Sequence, residues 1–271
     1  FNLMFKTFQG VTEDSASAVY LRPETAQGIF LNFKNIQTTS RKKIPFGIGQ
    51  IGKSFRNEVT PGNFIFRTRE FEQMEMEFFC KSDTTNDWLK YWCNERMLWF
   101  QSLGINKNKL RLRAHGEDEL AHYSSACFDI EYKFDFGWSE LEGIADRGTY
   151  DLDKHTEHSG KKLSYFDQPN NKHFTPAVVE SSAGVDRAIL TVLADAYHEE
   201  EVNGEKRNVL KLSPKIAPIT VAVFPLMNKN GMPEIAKKIV EDLRSNYSSF
   251  YDTGGSIGRR YRRQDEAGTP F

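Results

Sequence analysis

Residues 66–75 alternate in a way that suits the binding of a nucleotide. Side chains two residues apart in an extended strand point to the same face of the sheet. A strand over this segment would place two cations, an aromatic ring, an amide and a carboxylate on one face: Arg67, Arg69, Phe71, Gln73 and Glu75. A guanidinium suits phosphate because its planar fork donates two hydrogen bonds at once. The ring could stack on a base, so the pattern predicts a nucleotide-binding face.

Arg56 and Glu58 extend this prediction to the preceding segment, because they also share a face if the chain is extended there. At about 3.3 Å per residue, Phe71 and Glu75 would lie about 13 Å apart, which leaves room for a nucleotide along the row. The alternative is a solvated sheet face that carries alternating charges, and the pattern alone leaves it open.

Two shorter segments carry weaker indications of ligand binding. Ser182 could cap a helix, Gly184 allows close approach of the backbone, and Arg187 falls in the first helical turn. A helix N-terminus beside an arginine can bind an anion, although many helices begin in this way. Glu24 follows Pro23 just before a predicted helix, where a carboxylate usually compensates the helix dipole.

Two other patterns are expected to be structural. Trp88, Trp92 and Trp99 lie near helical spacing, which predicts core packing and not a ligand site. His155 and His158 have a spacing seen in zinc sites. No cysteine or third histidine is placed to complete a tetrahedral set, so we expect no metal there.

The elements that must position these residues follow from periodicity and turn residues. Residues 44–55 and 64–79 are predicted as an antiparallel hairpin with a turn at 61–63. We expect a helix over 87–103, a strand over 130–136 and an irregular, polar surface excursion over 151–172. A strand over 178–180 leads to a helix that ends near residue 197 and has an apolar face. After a break at 210–218, strand 219–224, helix 233–243 and strand 249–252 predict a βαβ unit.

Composition limits the class of protein. The chain has 271 residues, 39% hydrophobic and 27% charged, with a net charge of -1, so it is globular and has no general basic field. The apolar runs are too short for a membrane-spanning helix. Three cysteines without a CxxC pair argue against a disulfide framework and favour a reducing compartment. We expect the chain to be a piece of a longer protein.

The sequence resembles the dimeric type of glycyl-tRNA synthetase, a class II aminoacyl-tRNA synthetase, over nearly its whole length. The matching segments are 22–30 (RPETAQGIF), 55–58 (FRNE), 66–75 (FRTREFEQME), 140–145 (ELEGIA), 180–187 (ESSAGVDR) and 256–271 (SIGRRYRRQDEAGTPF). The resemblance implies an α+β fold. Residues 1–210 would form a class II catalytic domain, an antiparallel sheet with flanking helices that lacks its N-terminal part. Residues 211–271 would begin an α/β anticodon-binding domain that is truncated.

The resemblance also implies roles for individual residues. Arg56 and Arg187 would be catalytic, holding the phosphates and stabilising charge as the glycine carboxylate attacks. The implied ATP-binding residues are Arg56, Asn57, Glu58, Phe66, Arg67, Thr68, Arg69, Glu70, Phe71, Glu140, Leu141, Gly184, Val185, Asp186 and Arg187, with Glu140 also holding Mg²⁺. The implied glycine-binding residues are Glu24, Phe71, Glu72, Gln73, Met74, Glu75, Glu180, Ser181, Ser182, Ala183 and Gly184.

Such a glycine pocket is chemically reasonable, because glycine offers only its ammonium and its lack of bulk. Carboxylates suit the ammonium, and crowding at the α-carbon would exclude alanine. The implied tRNA-binding residues are Arg259, Arg260, Arg262 and Arg263, although such runs are often solvated faces. The implied partners are tRNA(Gly), glycine and ATP, with no membrane, in a cytoplasmic homodimer.

Two departures from the family affect these expectations. Serine stands at position 181, where the family often has proline, and the dimer-building class II motif 1 lies upstream in the family. Two alternatives remain: a non-catalytic class II-like accessory protein that binds nucleic acid, and another nucleotide-dependent ligase on the same sheet. The first could lose the phosphate-binding arginines, and the second would be expected to change the Glu24 and Glu75 pair.

Overall fold

The computed structural model describes residues 2–116, 118–121 and 124–271, which fall into two compact units. The first comprises Phe1–Leu98 and Lys107–Leu190, and the second comprises Trp99–Asn106 and Thr191–Phe271. No helix within the described ranges is long and apolar enough to cross a membrane.

A six-stranded antiparallel sheet organises the first unit, with strand order β3-β4-β10-β7-β6-β5. The α+β class predicted from the sequence is confirmed. The elements that lie in the first unit or begin there are β1 (Lys6–Phe8), β2 (Ala18–Tyr20), α1 (Ala26–Ser40), β3 (Phe46–Phe55), β4 (Glu70–Cys80), α2 (Thr85–Ser102), β5 (Leu110–Ala114), β6 (Ala126–Phe134), β7 (Gly137–Gly148), α3 (Tyr150–Ser159), β8 (Tyr165–Asp167), β9 (Lys172–Phe174), β10 (Ala177–Gly184) and α4 (Val185–Ala196).

Side chains of β4 alternate between the two faces of this sheet, and each face packs against a helix. On one face Phe79 meets Phe33 of α1, with ring centroids 4.7 Å apart. On the other face Phe78 meets Trp88 and Trp92 of α2 at 4.7 and 5.3 Å. The predicted structural role of these two tryptophans is confirmed. These contacts lie at the C-terminal end of β4, whereas its first three residues, 70–72, are exposed or half-buried and can face a ligand.

The predicted hairpin is confirmed, but its second strand is shorter than expected. β4 pairs with β3 from Glu70 onward, and residues 64–69 lie in the connecting loop. Asn63 and Phe64 both have positive φ, 54° and 56°, so the chain turns sharply and cannot be extended there. The expectation that Arg67 and Arg69 lie on one strand face with Phe71 is therefore wrong.

The predicted irregular excursion over 151–172 is also wrong. It contains α3 and the two-stranded β8–β9 hairpin. Leu152 is fully buried against α1 and β3, and Asp151 is buried in an ion pair with Arg147. Helix α3 is thus fixed by one leucine and one buried carboxylate, which the polar composition of the segment concealed.

The second unit contains the hairpin of β11 (Tyr197–Val202) and β12 (Glu205–Leu210), then β13 (Val221–Val223), α5 (Met232–Leu243), β14 (Ser249–Tyr251) and α6 (Ile257–Ala267). β13 and β14 are parallel and α5 connects them, so the predicted βαβ unit is confirmed. Ile189 and Leu193, on the predicted apolar face of α4, are about half exposed.

Candidate active site

An open pocket with about 550 Å³ of empty space lies in the first unit, where the β3–β4 loop meets β7, β10 and α4. All of the lining residues except Ile65 belong to the sets predicted from the sequence. They are Arg56, Glu58, Ile65, Phe66, Arg67, Thr68, Phe71, Gln73, Glu140, Leu141, Ser182, Gly184, Asp186 and Arg187.

Arg56 and Phe71 form one side of this pocket. The guanidinium carbon of Arg56 lies 5.4 Å from the centroid of the Phe71 ring. Arg56 Nε donates to the carbonyl oxygen of Pro23 at 3.1 Å, and its backbone N–H donates to Arg69 at 3.0 Å. The side chain is therefore anchored at Nε, and the pocket presents a planar cation beside an aromatic ring. Such a pair can receive a phosphate and a flat base.

Arg187 faces the same pocket from the first turn of α4. Its guanidinium carbon lies 4.4 Å from the centroid of the Phe66 ring, and Nε donates to the Phe66 carbonyl oxygen at 3.0 Å. Nη1 lies 3.3 Å from Glu140 Oε2 in an ion pair at the pocket wall. The structure places this arginine in the first turn of α4, as the sequence predicted, and an anion site there stays a prediction.

Glu75 adjoins the pocket behind Gln73 and Ser182, which line it, and is almost completely buried. Its Oε2 accepts from the backbone N–H of Thr25 at 2.7 Å and from the Thr25 hydroxyl. Its Oε1 accepts from Gln73 Nε2 at 2.6 Å and from the Ser182 hydroxyl at 2.9 Å. Donors on three elements thus hold the carboxylate in one orientation. Ser182 does not cap α4, because its side chain belongs to this network.

Glu24 and Glu180 adjoin Glu75 and share one guanidinium. Arg147 of β7 is buried and is ion-paired with Glu180 and with Asp151, and its Nη2 lies 3.9 Å from Glu24. Burial raises the pKa of Glu24, and the Arg147 guanidinium opposes that shift. Burial also raises the pKa of Glu180 to about 7. The result is an acidic recess whose charge depends on pH near neutrality.

Strand alternation turns several of the predicted residues away from the pocket. Glu72 and Met74 occupy the face of β4 opposite to Phe71 and Glu75. On β10, the Ser181 hydroxyl donates to Glu142 and not toward Glu75. The same alternation places Ala183 with Ser181. The predicted glycine contacts of these four residues could involve only backbone atoms.

The remaining predicted ATP-binding residues lie around the pocket without lining it: Asn57, Arg69, Glu70 and Val185. Arg69 Nε donates to the Glu58 carbonyl oxygen at 3.1 Å, so this arginine braces the β3–β4 loop. Glu70 pairs with Lys53 at 3.2 Å across the hairpin.

Besides Ile65, sequence reasoning missed three residues of this site: Thr25, Arg147 and Asp151. Thr25 lies inside the matched segment 22–30, so its position beside Glu24 was the available signal. Arg147 and Asp151 gave no comparable signal, because β7 and α3 were not predicted as elements.

The four arginines of the predicted tRNA patch lie on α6 in the second unit and differ in environment. Arg260 is 3% exposed and donates to the carbonyl oxygens of Pro225 and Gly255 at 2.6 and 2.9 Å. Arg262 and Arg263 form ion pairs with nearby carboxylates, whereas Arg259 is exposed. Arg260 is therefore a structural residue, and its predicted role in tRNA binding is corrected.

Within residues 2–116, 118–121 and 124–271, one group has the composition of a metal site: His115, Cys127 and Asp129, with ligand atoms within 4.8 Å of one another. Arg113 Nη2 donates to Asp129 at 2.9 Å and lies 3.4 Å from His115 Nε2. Burial raises the pKa of the Cys127 thiol to about 12. A guanidinium already neutralises the carboxylate and the thiol stays protonated, so this group is an ion-paired cluster.

Comparison with known proteins agrees with this geometry. Residues 7–196 match the tRNA synthetase class II core domain (G, H, P, S and T), and residues 220–271 match an anticodon binding domain. The chain is 62% identical over 271 residues to the glycine–tRNA ligase of Caldanaerobacter subterraneus subsp. tengcongensis and 62% identical over 272 residues to that of Acetivibrio thermocellus. It is 59% identical over 272 residues to the glycine–tRNA ligase of Clostridium acetobutylicum. Each comparison covers the whole chain and 58% of the length of the relative.

Proposed function

The chain belongs to the class II tRNA synthetase core family (G, H, P, S and T), and we propose that the full-length protein is a glycine–tRNA ligase. It would join glycine to ATP as glycyl-adenylate, release pyrophosphate, and transfer glycine to tRNA(Gly). The observation that carries this proposal is one pocket that two anchored arginines line and that Gln73 and Ser182 connect to the buried Glu75 carboxylate.

ATP would occupy the arginine-lined part of the pocket. Arg56 and Arg187 approach from different elements, so an α-phosphate between them would be held on two sides. Phe71 would stack against the adenine, and Glu58 and Arg67 would contact the base amino group and the γ-phosphate. The attacking glycine carboxylate is already ionised and requires no general base. Catalysis would therefore rest on positioning and on stabilisation of charge at phosphorus.

Glycine would bind with its ammonium toward the carboxylate recess. Glu75 is fixed by Thr25, Gln73 and Ser182, so it is preorganised to accept from an ammonium. Glu24 and Glu180 add negative charge beside it. The recess is crowded by these side chains, which would exclude amino acids with a β-carbon.

Glu140 is the residue that would hold a magnesium ion. Magnesium prefers oxygen ligands and takes one or two carboxylates, with water and substrate phosphates completing its shell. The Glu140 carboxylate fits this requirement, because it is half exposed at the pocket wall beside Arg187. An ion held there would supply positive charge that offsets the negative charge of the phosphates.

The remaining proposals concern the full-length protein. The second unit would contact tRNA(Gly) through its anticodon-binding part, where Arg259, Arg262 and Arg263 are exposed and could reach phosphates. Homodimerisation and a cytoplasmic location are proposed from the family resemblance alone.

Exchange of labelled pyrophosphate into ATP, measured on the full-length protein, tests the proposal. We expect exchange that depends on glycine and is negligible with alanine. Exchange without amino-acid preference would favour another nucleotide-dependent ligase on the same sheet. No exchange, with tRNA binding retained, would favour the accessory protein that binds nucleic acid.

A further inference from the structure

Glu77 is a buried carboxyl group that the proposed reaction does not use. It lies on β4 two residues after Glu75, on the same sheet face, and directly opposite Glu180 in the β4–β10 register. Its side chain is 0% exposed. Among the described residues, no N–H or O–H group donates to either of its carboxyl oxygens. A bare carboxylate in that position would be strongly destabilising.

The groups around Glu77 supply too little positive charge for every acid to ionise. Glu180 faces it from β10, Glu75 lies beside it on β4, and Arg147 approaches from β7. The other two acids of the cluster, Glu24 before α1 and Asp151 on α3, also interact with Arg147. Five carboxyl groups therefore surround one guanidinium. The residue opposite Glu77 on β3 is the uncharged Ile48, and the α1 residues packed nearby are apolar.

The Arg147 guanidinium is directed mainly to two of these acids. Nε and Nη2 donate to Asp151 at 2.7 and 2.8 Å, and Nη1 donates to Glu180. Among the described residues, Glu77 has neither an ion pair nor a hydrogen-bond donor, so it is the member of the cluster that needs a proton. A protonated carboxyl group can donate its O–H to the carboxylate opposite it.

We infer that Glu77 is protonated and donates an O–H hydrogen bond to the Glu180 carboxylate. This acid–carboxylate pair positions Glu180 in the glycine recess and releases a proton when an ammonium binds. Glu77 is thus a positioning residue that acts through Glu180. The inference rests on the proposed glycine site.

The titration behaviour of the pair is consistent with this arrangement. Burial, followed by repulsion from Glu180, raises the pKa of Glu77 well above its usual range. Burial raises the pKa of Glu180 to about 7. The two groups share one proton near neutrality. An ammonium in the recess favours the ionised form of both carboxyl groups. The shared proton therefore leaves to solvent as glycine binds, and the ammonium balances the added negative charge.

Calorimetric titration of glycine into the full-length protein at neutral pH, in buffers of different ionisation enthalpy, measures this proton. We expect wild type to release about half a proton or more per glycine. Glu77→Gln keeps an N–H donor toward Glu180, so glycine affinity should stay within about threefold of wild type while proton release falls toward zero. Glu77→Leu removes the donor and should weaken glycine binding by about tenfold or more. Glu157→Gln, an exposed carboxylate on α3, is the matched control and should release the wild-type number of protons.

Difference infrared spectra of wild type with and without glycine give a second measurement that requires no variant. A carboxylic-acid band should disappear on binding. Proton release that is unchanged in Glu77→Gln, or absent in wild type while glycine binds, would overturn the inference. Absence of glycine binding, with ATP binding intact, would instead refute the proposed function.

Discussion

Replacement of Glu75 by glutamine is the sharpest test of the glycine recess. The Glu75 carboxylate is 4% exposed and accepts hydrogen bonds from Thr25, Gln73 and Ser182. Glutamine keeps the shape of the side chain but removes its charge. Its NH₂ group also replaces an oxygen that accepts hydrogen bonds from these donors. A hydrogen bond to a charged group contributes about 1.5–3 kcal/mol. We therefore expect Glu75→Gln to weaken glycine binding by about 10- to 100-fold.

ATP binding should change by less than about threefold, because the hydrogen bonds seen at Glu75 in the described part of the chain come from Thr25, Gln73 and Ser182. Equilibrium titrations of each substrate into the full-length protein measure both affinities, and pyrophosphate exchange measures the two KM values. Asp167→Asn is the matched control, since it also changes a buried, hydrogen-bonded carboxylate to an amide, outside the pocket. Equal losses for glycine and ATP, or an equal loss of glycine binding in the control, would refute the reasoning.

Three further outcomes are expected. Gly268→Ala should destabilise the second unit by about 2–4 kcal/mol in urea denaturation, because φ there is 82° and a Cβ would lie 2.7 Å from a leucine methyl. Gly204→Ala is the control: φ is 80° there but the space is open, so the loss of stability should be about 1–2 kcal/mol. Equal losses of stability in the two variants would contradict the steric argument. Because burial raises the pKa of Glu180 to about 7 from an ordinary 4.5, the folded protein holds a proton that the unfolded chain has lost, and stability falls as pH rises through that window. Glu180→Gln should therefore gain in melting temperature relative to wild type as pH rises from about 5 to 8, and a constant difference would refute the assigned titration. Arg259→Ala should leave the melting temperature unchanged and reduce the salt dependence of tRNA binding by about one counterion. Arg260→Ala should lower the melting temperature. A lower melting temperature for Arg259→Ala and an unchanged one for Arg260→Ala would exclude the assigned roles.

Local patterns were sufficient for several elements of the fold. Period-two alternation and the turn residues at 61–63 predicted the β3–β4 hairpin, and β13, α5 and β14 followed from the strand and helix patterns after the break at 210–218. The boundary of β4 was wrong because positive φ continues past Asn63, in the predicted turn, to Phe64, a residue type that carries no turn signature. Helix α3 was missed because only Leu152 marks its buried face.

The candidate site, like the fold, was predicted only in part. The residue types of the pocket could be named from the matched segments, because a guanidinium, a ring and a carboxylate each have a definite chemistry. Which of them point into the pocket could not be named, since a run such as 180–184 lists side chains that alternate between two faces of β10. Ser182 contacts Glu75 while Ser181 contacts Glu142, although the two residues are identical and adjacent.

The sequence by itself determined the family, the α+β class and the chemical inventory of the site, because these depend on residue identity and order. Only the tertiary structure decided that Arg147 and Asp151 enter the acidic recess and that Glu77 lies opposite Glu180. Pairing between β4, β7 and β10 joins segments far apart in the chain, and burial in that sheet determines which carboxyl groups can remain charged. Neither effect is encoded in any local stretch of residues.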